Sequence, residues 1–165
     1  MRNLDESAAT STSGGGGATT SSIAGTGSAA ACEIEGGVST RGTEVIVSLS
    51  EWKITPNVTQ VKAGIVSLLA ENTGQEDHEL VVVKGDSADA LPKDATGAMD
   101  EAKLPEGALI GEIEPFAAGQ LCRGNFALPA GSYVLLCNIA EKEADGTTES
   151  HFAEGMHTTF TVGAS

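Results

Sequence analysis

Pro129-Ala130-Gly131-Ser132-Tyr133-Val134-Leu135-Leu136-Cys137 reads as a tight turn running into an apolar strand. Proline presets the backbone of a turn and glycine accepts the angles that complete it. Strand texture also precedes the turn, from Leu121 to Leu128, so two extended segments are joined by a short reversal. The pattern continues outward. Val45, Val47 and Leu49 alternate with Glu44, Ile46 and Ser48, as in a half-buried strand. Val58 to Val61, Gly64 to Ala70, His78 to Lys84, Leu109 to Ile113 and His157 to Val162 carry the same extended texture. Turn signals such as Pro56-Asn57 and Lys62-Ala63-Gly64 separate them. Residues 85–107 are the exception, where Asp86 to Leu91 predicts a short helix. The expected fold is all-β: a Greek-key sandwich or barrel of seven or eight strands.

Composition divides the chain. Ser, Thr, Gly and Ala dominate Ser7 to Ala31, including Gly14-Gly15-Gly16-Gly17, and large apolar side chains are almost missing there. Such a segment cannot bury enough surface to offset its ordering entropy. Residues 1–38 are therefore expected to be a flexible linker, and 39–165 the folded domain. Met1-Arg2-Asn3-Leu4-Asp5 lacks the apolar core of a signal peptide, so a form whose signal or anchor has been removed is expected. The formal net charge is −14. It argues against nucleic acid and anionic membrane surfaces, both of which need positive charge, and it favours a basic partner. No run approaches the length of a membrane span, which leaves a tether through the linker as the expected form of membrane association.

The chain holds only three Cys, three His and three Met. Cys137 ends an apolar strand, and His151-Phe152-Ala153-Glu154-Gly155-Met156 follows just before the last strand. His78 heads another apolar run far upstream. A thiolate, two imidazoles and a thioether are the donor set of a blue-copper electron-transfer site. Each residue alone has a plainer reading: a buried structural Cys, a surface His at a strand end, a core Met. Their combination carries the weight. Zinc takes Cys and His, but Met is a poor ligand for it. A Cys–His hydrolase would need an orienting group and an oxyanion loop, and only Asn138 beside Cys137 offers anything of the kind. The remaining rival is a plain sandwich module whose Cys and His positions are coincidence.

At Asp77-His78-Glu79-Leu80-Val81-Val82, at Gly131 to Asn138, and at His151 to Met156 through Phe160-Thr161-Val162, the chain resembles the cupredoxin family of small blue-copper proteins. It looks most like extracytoplasmic members of the plastocyanin and sulfocyanin kind, over residues 43–162. The resemblance implies one copper per chain, with His78, Cys137 and His151 as equatorial ligands and Met156 as a weak axial one. It implies a monomeric, non-enzymatic electron carrier outside the cytoplasm, serving redox partner proteins. A copper-handling protein (chaperone, store or sensor) with the same ligands is the alternative. His157 is expected not to be a ligand, because Met156 fills the axial place and strand alternation turns its neighbour away.

One departure from the family pattern is large. Thirteen residues, Asn138 to Ser150, separate Cys137 from His151, where family members have only a few. Asp145-Gly146 is a good hairpin pair, and a hairpin would bring Asn138 and Ser150 together. Its acidic residues Glu141, Glu143, Asp145 and Glu149 would steer a basic redox partner. The ring edge of His151 is the expected electron port, with Phe152 and Ala153 forming an apolar docking rim. Trp52 is expected to pack in the core or at its rim. An extracytoplasmic location permits a disulfide. Pairing Cys32 with Cys122 spares Cys137, whereas pairing Cys122 with Cys137 would destroy the copper site.

Overall fold

Val45, Val47 and Leu49 are completely buried while Glu44 and Ile46 face outward, as their alternation requires. The computed structural model describes residues 31–165. Its strands are β1 (Ile34–Glu35), β2 (Thr43–Ser50), β3 (Lys53–Pro56), β4 (Gln60–Lys62), β5 (Gly64–Asn72), β6 (His78–Lys84), β7 (Leu109–Phe116), β8 (Leu121–Leu128), β9 (Gly131–Leu136), β10 (Ala140–Lys142), β11 (Thr148–Ser150) and β12 (His157–Gly163). Seven of these have six residues or more, and β3 has four. The seven long strands match seven of the predicted segments, and the eighth, Val58 to Val61, is the short β4. Apart from β3, the others are pairs or triplets, too short to show a period of two.

Two sheets face each other. One has the order β1-β7-β6-β9-β12-β4 and the other β3-β2-β5-β8. The β8–β9 reversal at Pro129-Ala130 carries the chain from one sheet to the other. Between the sheets, Val45, Val47, Leu49, Val66, Leu68 and Phe126 meet Leu80, Val82, Leu135, Phe160 and Val162. The uninterrupted apolar run of β6 has a second cause. Val81 and Val83, with Val134 and Leu136 of β9, point to the outer face of their sheet, where residues 85–108 cover them with Ala88, Leu91, Met99 and Ala108. A strand buried on both faces loses its alternation. The short helix expected within Asp86–Leu91 is a single 3-10 turn, Ala88–Ala90. Among the described residues, no helix is long and apolar enough to cross a membrane.

The linker expected over residues 1–30 lies outside the described residues. Residues 31–38, expected to belong to it, contain β1, which pairs with β7. A disulfide joins Cys32 to Cys122, with their Cα atoms 5.5 Å apart. The pairing leaves Cys137 as a free, buried thiol.

The β1–β7 pairing sets Glu35 directly opposite Glu112, and carboxylate oxygens of Glu35, Glu112 and Glu114 lie within 4.8 Å of one another. Partial burial, followed by the charges of Glu79, Glu114, Glu101 and Glu35, pushes Glu112 up to about 7. A carboxyl raised in the folded state binds protons more tightly there than in the unfolded chain. Its stabilising contribution is full below the ordinary carboxylate range and is lost as pH rises through about 7. Glu112→Gln is therefore expected to raise stability at pH 8 by ~1 kcal/mol after allowance for solvent screening, and to change nothing at pH 4. Thermal unfolding of both proteins at the two pH values checks this; an equal gain at both would mean that the carboxylate charge is not the cause.

Candidate metal centre

The ligand segments meet at one end of the sandwich because antiparallel pairing of β6 with β9 sets the start of one beside the end of the other. Val81 pairs with Leu136, so His78 at the head of β6 and Cys137 just after β9 share that end. His78, Cys137 and Met156 are fully buried and His151 is 1% exposed. Nδ1 of His151 lies 3.4 Å from Sγ of Cys137. One donor atom from each of His78, Cys137 and His151 falls within 4.8 Å of the others. Met156 belongs to the same buried cluster as Cys137. Its carbonyl accepts the Cys137 N–H at 3.1 Å and its N–H donates to the His151 carbonyl at 3.0 Å. The His151–Met156 segment thus doubles back on itself, and Gly155 makes the bend with φ at 109°, a region that favours glycine.

The thirteen-residue insertion does fold as a hairpin. Ala140 pairs with Ser150, Glu141 with Glu149 and Lys142 with Thr148. Its turn is wider than the Asp145-Gly146 pair alone. Glu143 N–H donates to the Thr147 carbonyl at 2.8 Å, and Asp145 Oδ1 accepts from Thr147 N–H at 2.9 Å. At the base, His151 N–H donates to the Ile139 carbonyl at 2.9 Å. Pairing of the limbs cancels the length of the insertion, so Cys137 and His151 meet despite their separation in sequence.

The loop before His78 is built just as firmly. Asn72 Nδ2 donates to the carbonyls of Glu76 and Phe116, and its Oδ1 accepts from Gly74 N–H. Oε1 of Glu51, in the turn between β2 and β3, accepts from Gln75 N–H at 2.8 Å and Glu76 N–H at 3.0 Å, and meets His78 Nε2 at 2.9 Å. Burial pushes the Glu51 carboxyl up, but these donors outweigh it and hold it down at about 2. Glu79 sits on the other side of the strand. Its Oε1 accepts the Asn138 N–H at 2.8 Å, while Asn138 Oδ1 accepts from Met99 N–H at 2.7 Å. Burial pushes Glu79 up to about 7 against that N–H, and the charges of Glu101 and Glu114 add to the rise. Neither Glu51 nor Glu79 is evident from the sequence as part of the site. The one available signal was a charged residue at position 79, inside a strand otherwise apolar through Val83.

Trp52 packs at the rim of the core, as expected, and its ring stands 4.7 Å from that of His151, edge to face. Two expectations are corrected here. The His151 ring is not an exposed port edge, because Trp52 and the loop around Glu76 cover it. Phe152 is not part of a docking rim. It is 2% exposed and packs into the outer cluster with Leu91, Met99 and Leu136. Of the proposed rim only Ala153 is exposed. His157 lies against Phe152, with ring centroids 5.2 Å apart, and is not in the His78–Cys137–His151 cluster.

The donors fit a soft metal. Nδ1 of His78 and Nε2 of His151 are buried without a hydrogen-bond partner, and a buried polar atom left unpaired carries a desolvation cost. Burial pushes the Cys137 thiol up to about 12, against the N–H groups of Glu79 and Ile139 and with the charges of Glu79 and Glu141. A thiol so reluctant to ionise is a poor nucleophile, which weakens the hydrolase reading. A metal cation would be the group to displace that proton. Burial also lowers His151, as does the neighbouring His78, against the pull of Glu141 and Glu51. The His151 imidazole is thus disposed to the neutral form that a metal requires. Glu76 Oε2 is 3.5 Å from His151 Nε2, beyond hydrogen-bond range.

No protein-family model and no curated protein matches the sequence. Solved structures do. Reduced auracyanin from the photosynthetic bacterium Roseiflexus castenholzii is 21% identical, with a TM-score of 0.52 over 74% of this chain and 98% of that one. Auracyanin B is also 21% identical, with a TM-score of 0.52 over 78% of this chain and 96% of that one. Both are cupredoxins. Two facing sheets, ligand segments converging on one end, and this likeness in three dimensions give the chain the cupredoxin fold.

Proposed function

We propose that the chain is a one-electron carrier with a type 1 copper centre held by His78, Cys137, His151 and Met156. The observation that carries this reading is that buried His78, Cys137 and His151 bring one donor atom each within 4.8 Å of the others, while Nδ1 of His78 is buried without a partner. Bound copper supplies the Cu(II)/Cu(I) couple. The protein residues do the rest. Strand ends and the doubled-back loop hold the donors in place, so ligand movement between oxidation states is small. Burial keeps water and substrates away, which suits electron transfer and not substrate turnover. Trp52, half-exposed over His151, gives the electron a route to the surface where the sequence pattern placed the His151 ring edge.

The test is to add Cu(II) to metal-free protein and follow absorption and EPR. An intense thiolate-to-copper band with narrow hyperfine splitting, bleached and restored by one electron, supports the carrier. Tight Cu(I) binding with a weak band and slow electron exchange would favour copper handling by the same ligands. No thiolate band with the thiol reduced would end the carrier reading, and no Cu(I) binding either would end copper handling as well.

An extracytoplasmic location is supported by the Cys32–Cys122 disulfide, since reducing compartments keep such thiols apart. A basic redox partner is supported by the hairpin. Glu141 and Glu143 are exposed, and Glu149 is pushed up by slight burial and then by Glu76, Glu143, Glu154 and Glu141, a sign of carboxylates crowded beside the metal end. Changing Glu141, Glu143 and Glu149 to Gln and Asp145 to Asn is expected to slow electron transfer with a basic partner by about ten-fold at low salt. At high salt the two proteins should converge. Stopped-flow rates over a salt series decide it, and an unchanged salt slope would remove the hairpin from docking.

A further inference from the structure

Glu51 lies 27 residues before His78 in sequence, and its Oε1 is fixed before the imidazole is considered. The N–H groups of Gln75 and Glu76 both donate to that oxygen. A Cβ on Gly74 would meet the Glu51 carboxylate, so with glycine there the loop closes directly on it. An oxygen held by two main-chain donors cannot follow a ring that turns. The ring must come to the oxygen, and His78 Nε2 does so at 2.9 Å. A carboxylate accepts and does not donate, so the proton of a neutral imidazole belongs on Nε2. Nδ1 is then left as a bare lone pair, buried and without a partner.

We propose that Glu51 is the positioning residue of the metal ligand His78: its pinned carboxylate holds the imidazole as the Nε2–H tautomer, presents Nδ1 as the donor, and biases the centre toward its oxidised state. A carboxylate behind a ligating imidazole raises the basicity of the ligand and fixes its orientation. A negative charge so placed favours the more positive ion. The first half rests only on this chain's geometry, and the second rests on the copper reading above.

The experiment has two independent readouts. In metal-free protein, nitrogen-15 NMR of the imidazoles reports the tautomer directly. Wild-type His78 is expected to be the Nε2–H form, and Glu51→Gln to keep it, because the pinned oxygen remains an acceptor. Glu51→Ala should give a mixture with a substantial Nδ1–H fraction. A wild-type His78 found mainly as the Nδ1–H form overturns the positioning role without any variant, which covers the case of an alanine variant that does not fold. So does an alanine variant that folds and leaves the tautomer unchanged. In copper-loaded protein, Glu51→Gln removes the charge and keeps the hydrogen bond. It is expected to shift the reduction equilibrium about ten-fold toward the reduced form, which is ~59 mV for one electron. A shift below two-fold overturns the electrostatic half. Were wild-type protein to show the expected tautomer but no thiolate-to-copper band, the carrier reading would fail while the positioning of His78 stood.

Discussion

Cys137→Ser is expected to abolish the visible thiolate-to-copper band and to weaken copper binding by at least 100-fold. The four donors are not equivalent. An imidazole ligates a metal as a neutral donor, Met156 offers a thioether, and only Cys137 can supply an anionic soft donor. It is also the only free cysteine among the described residues. Loss of a hydrogen-bond partner behind a metal ligand alone costs about 10–100-fold in metal affinity as a rule, so about 100-fold is a lower bound for loss of the thiolate. Stability offers a second readout. Copper at 100 times its dissociation constant stabilises the native wild-type protein by about 2.7 kcal/mol. At the same concentration a site 100-fold weaker leaves ~0.4 kcal/mol by the same relation. A copper-induced rise in melting temperature of about 10 °C should thus shrink to one or two degrees. Serine is close to isosteric with cysteine, so the metal-free variant should keep its fold, and its circular dichroism provides the control. A band surviving in the variant would mean that copper sits elsewhere.

How the site could be read before its geometry was known follows from which links are local. Cys137 at the end of Tyr133–Leu136, His78 at the head of an apolar run, and His151 five positions before Met156 are local patterns, and strand ends are where such residues can converge. The Asn138–Ser150 hairpin was legible for the same reason, since Asp145-Gly146 and the matching limbs lie within a dozen residues. Glu51 and Trp52 were not legible as parts of the site. Their turn between β2 and β3 belongs to the other sheet, and only the packing of the two sheets brings it over His78 and His151. Phe152 misled for a related reason. An aromatic beside a ligand in a loop suits a docking rim, but residues 85–108 cover the outer face of β6 and β9, and that cover creates a second apolar cluster for the ring to enter. The start of the domain was blurred by composition. Glu33 to Gly37 carries one large apolar side chain, Ile34, and a two-residue strand leaves no period to detect.

Breaking the disulfide by Cys32→Ser is expected to cost about 3 kcal/mol of stability without changing the copper band. The bridge spans 90 residues of sequence, and in the chain-entropy picture a loop of that length is worth ~4–5 kcal/mol, with 2–4 kcal/mol typical of measured bridges. How much of this appears depends on what the native N-terminal segment does when released. Were it to peel away, the loss would be limited to the cost of peeling. Its other attachments argue that it stays. Glu114 N–H donates to the Glu33 carbonyl at 2.9 Å, Val38 N–H donates to the Asn125 carbonyl at 2.8 Å, and Ile34 packs against the core from its place opposite Ile113. With the native contacts retained, most of the effect falls on the unfolded chain, which regains the freedom that the bridge removed. β1 is the edge strand of its sheet, beyond β7, while the metal donors come from β6, the end of β9 and the loop before β12, so their spectrum should not respond. Denaturant unfolding with hydrogen exchange separates the cases. A lower midpoint with protection kept at Ile34, Glu35 and Glu114 is the expected result. An unchanged midpoint with protection lost at those three positions would show that the bridge serves only to hold down an edge strand, as a local restraint and not a global one.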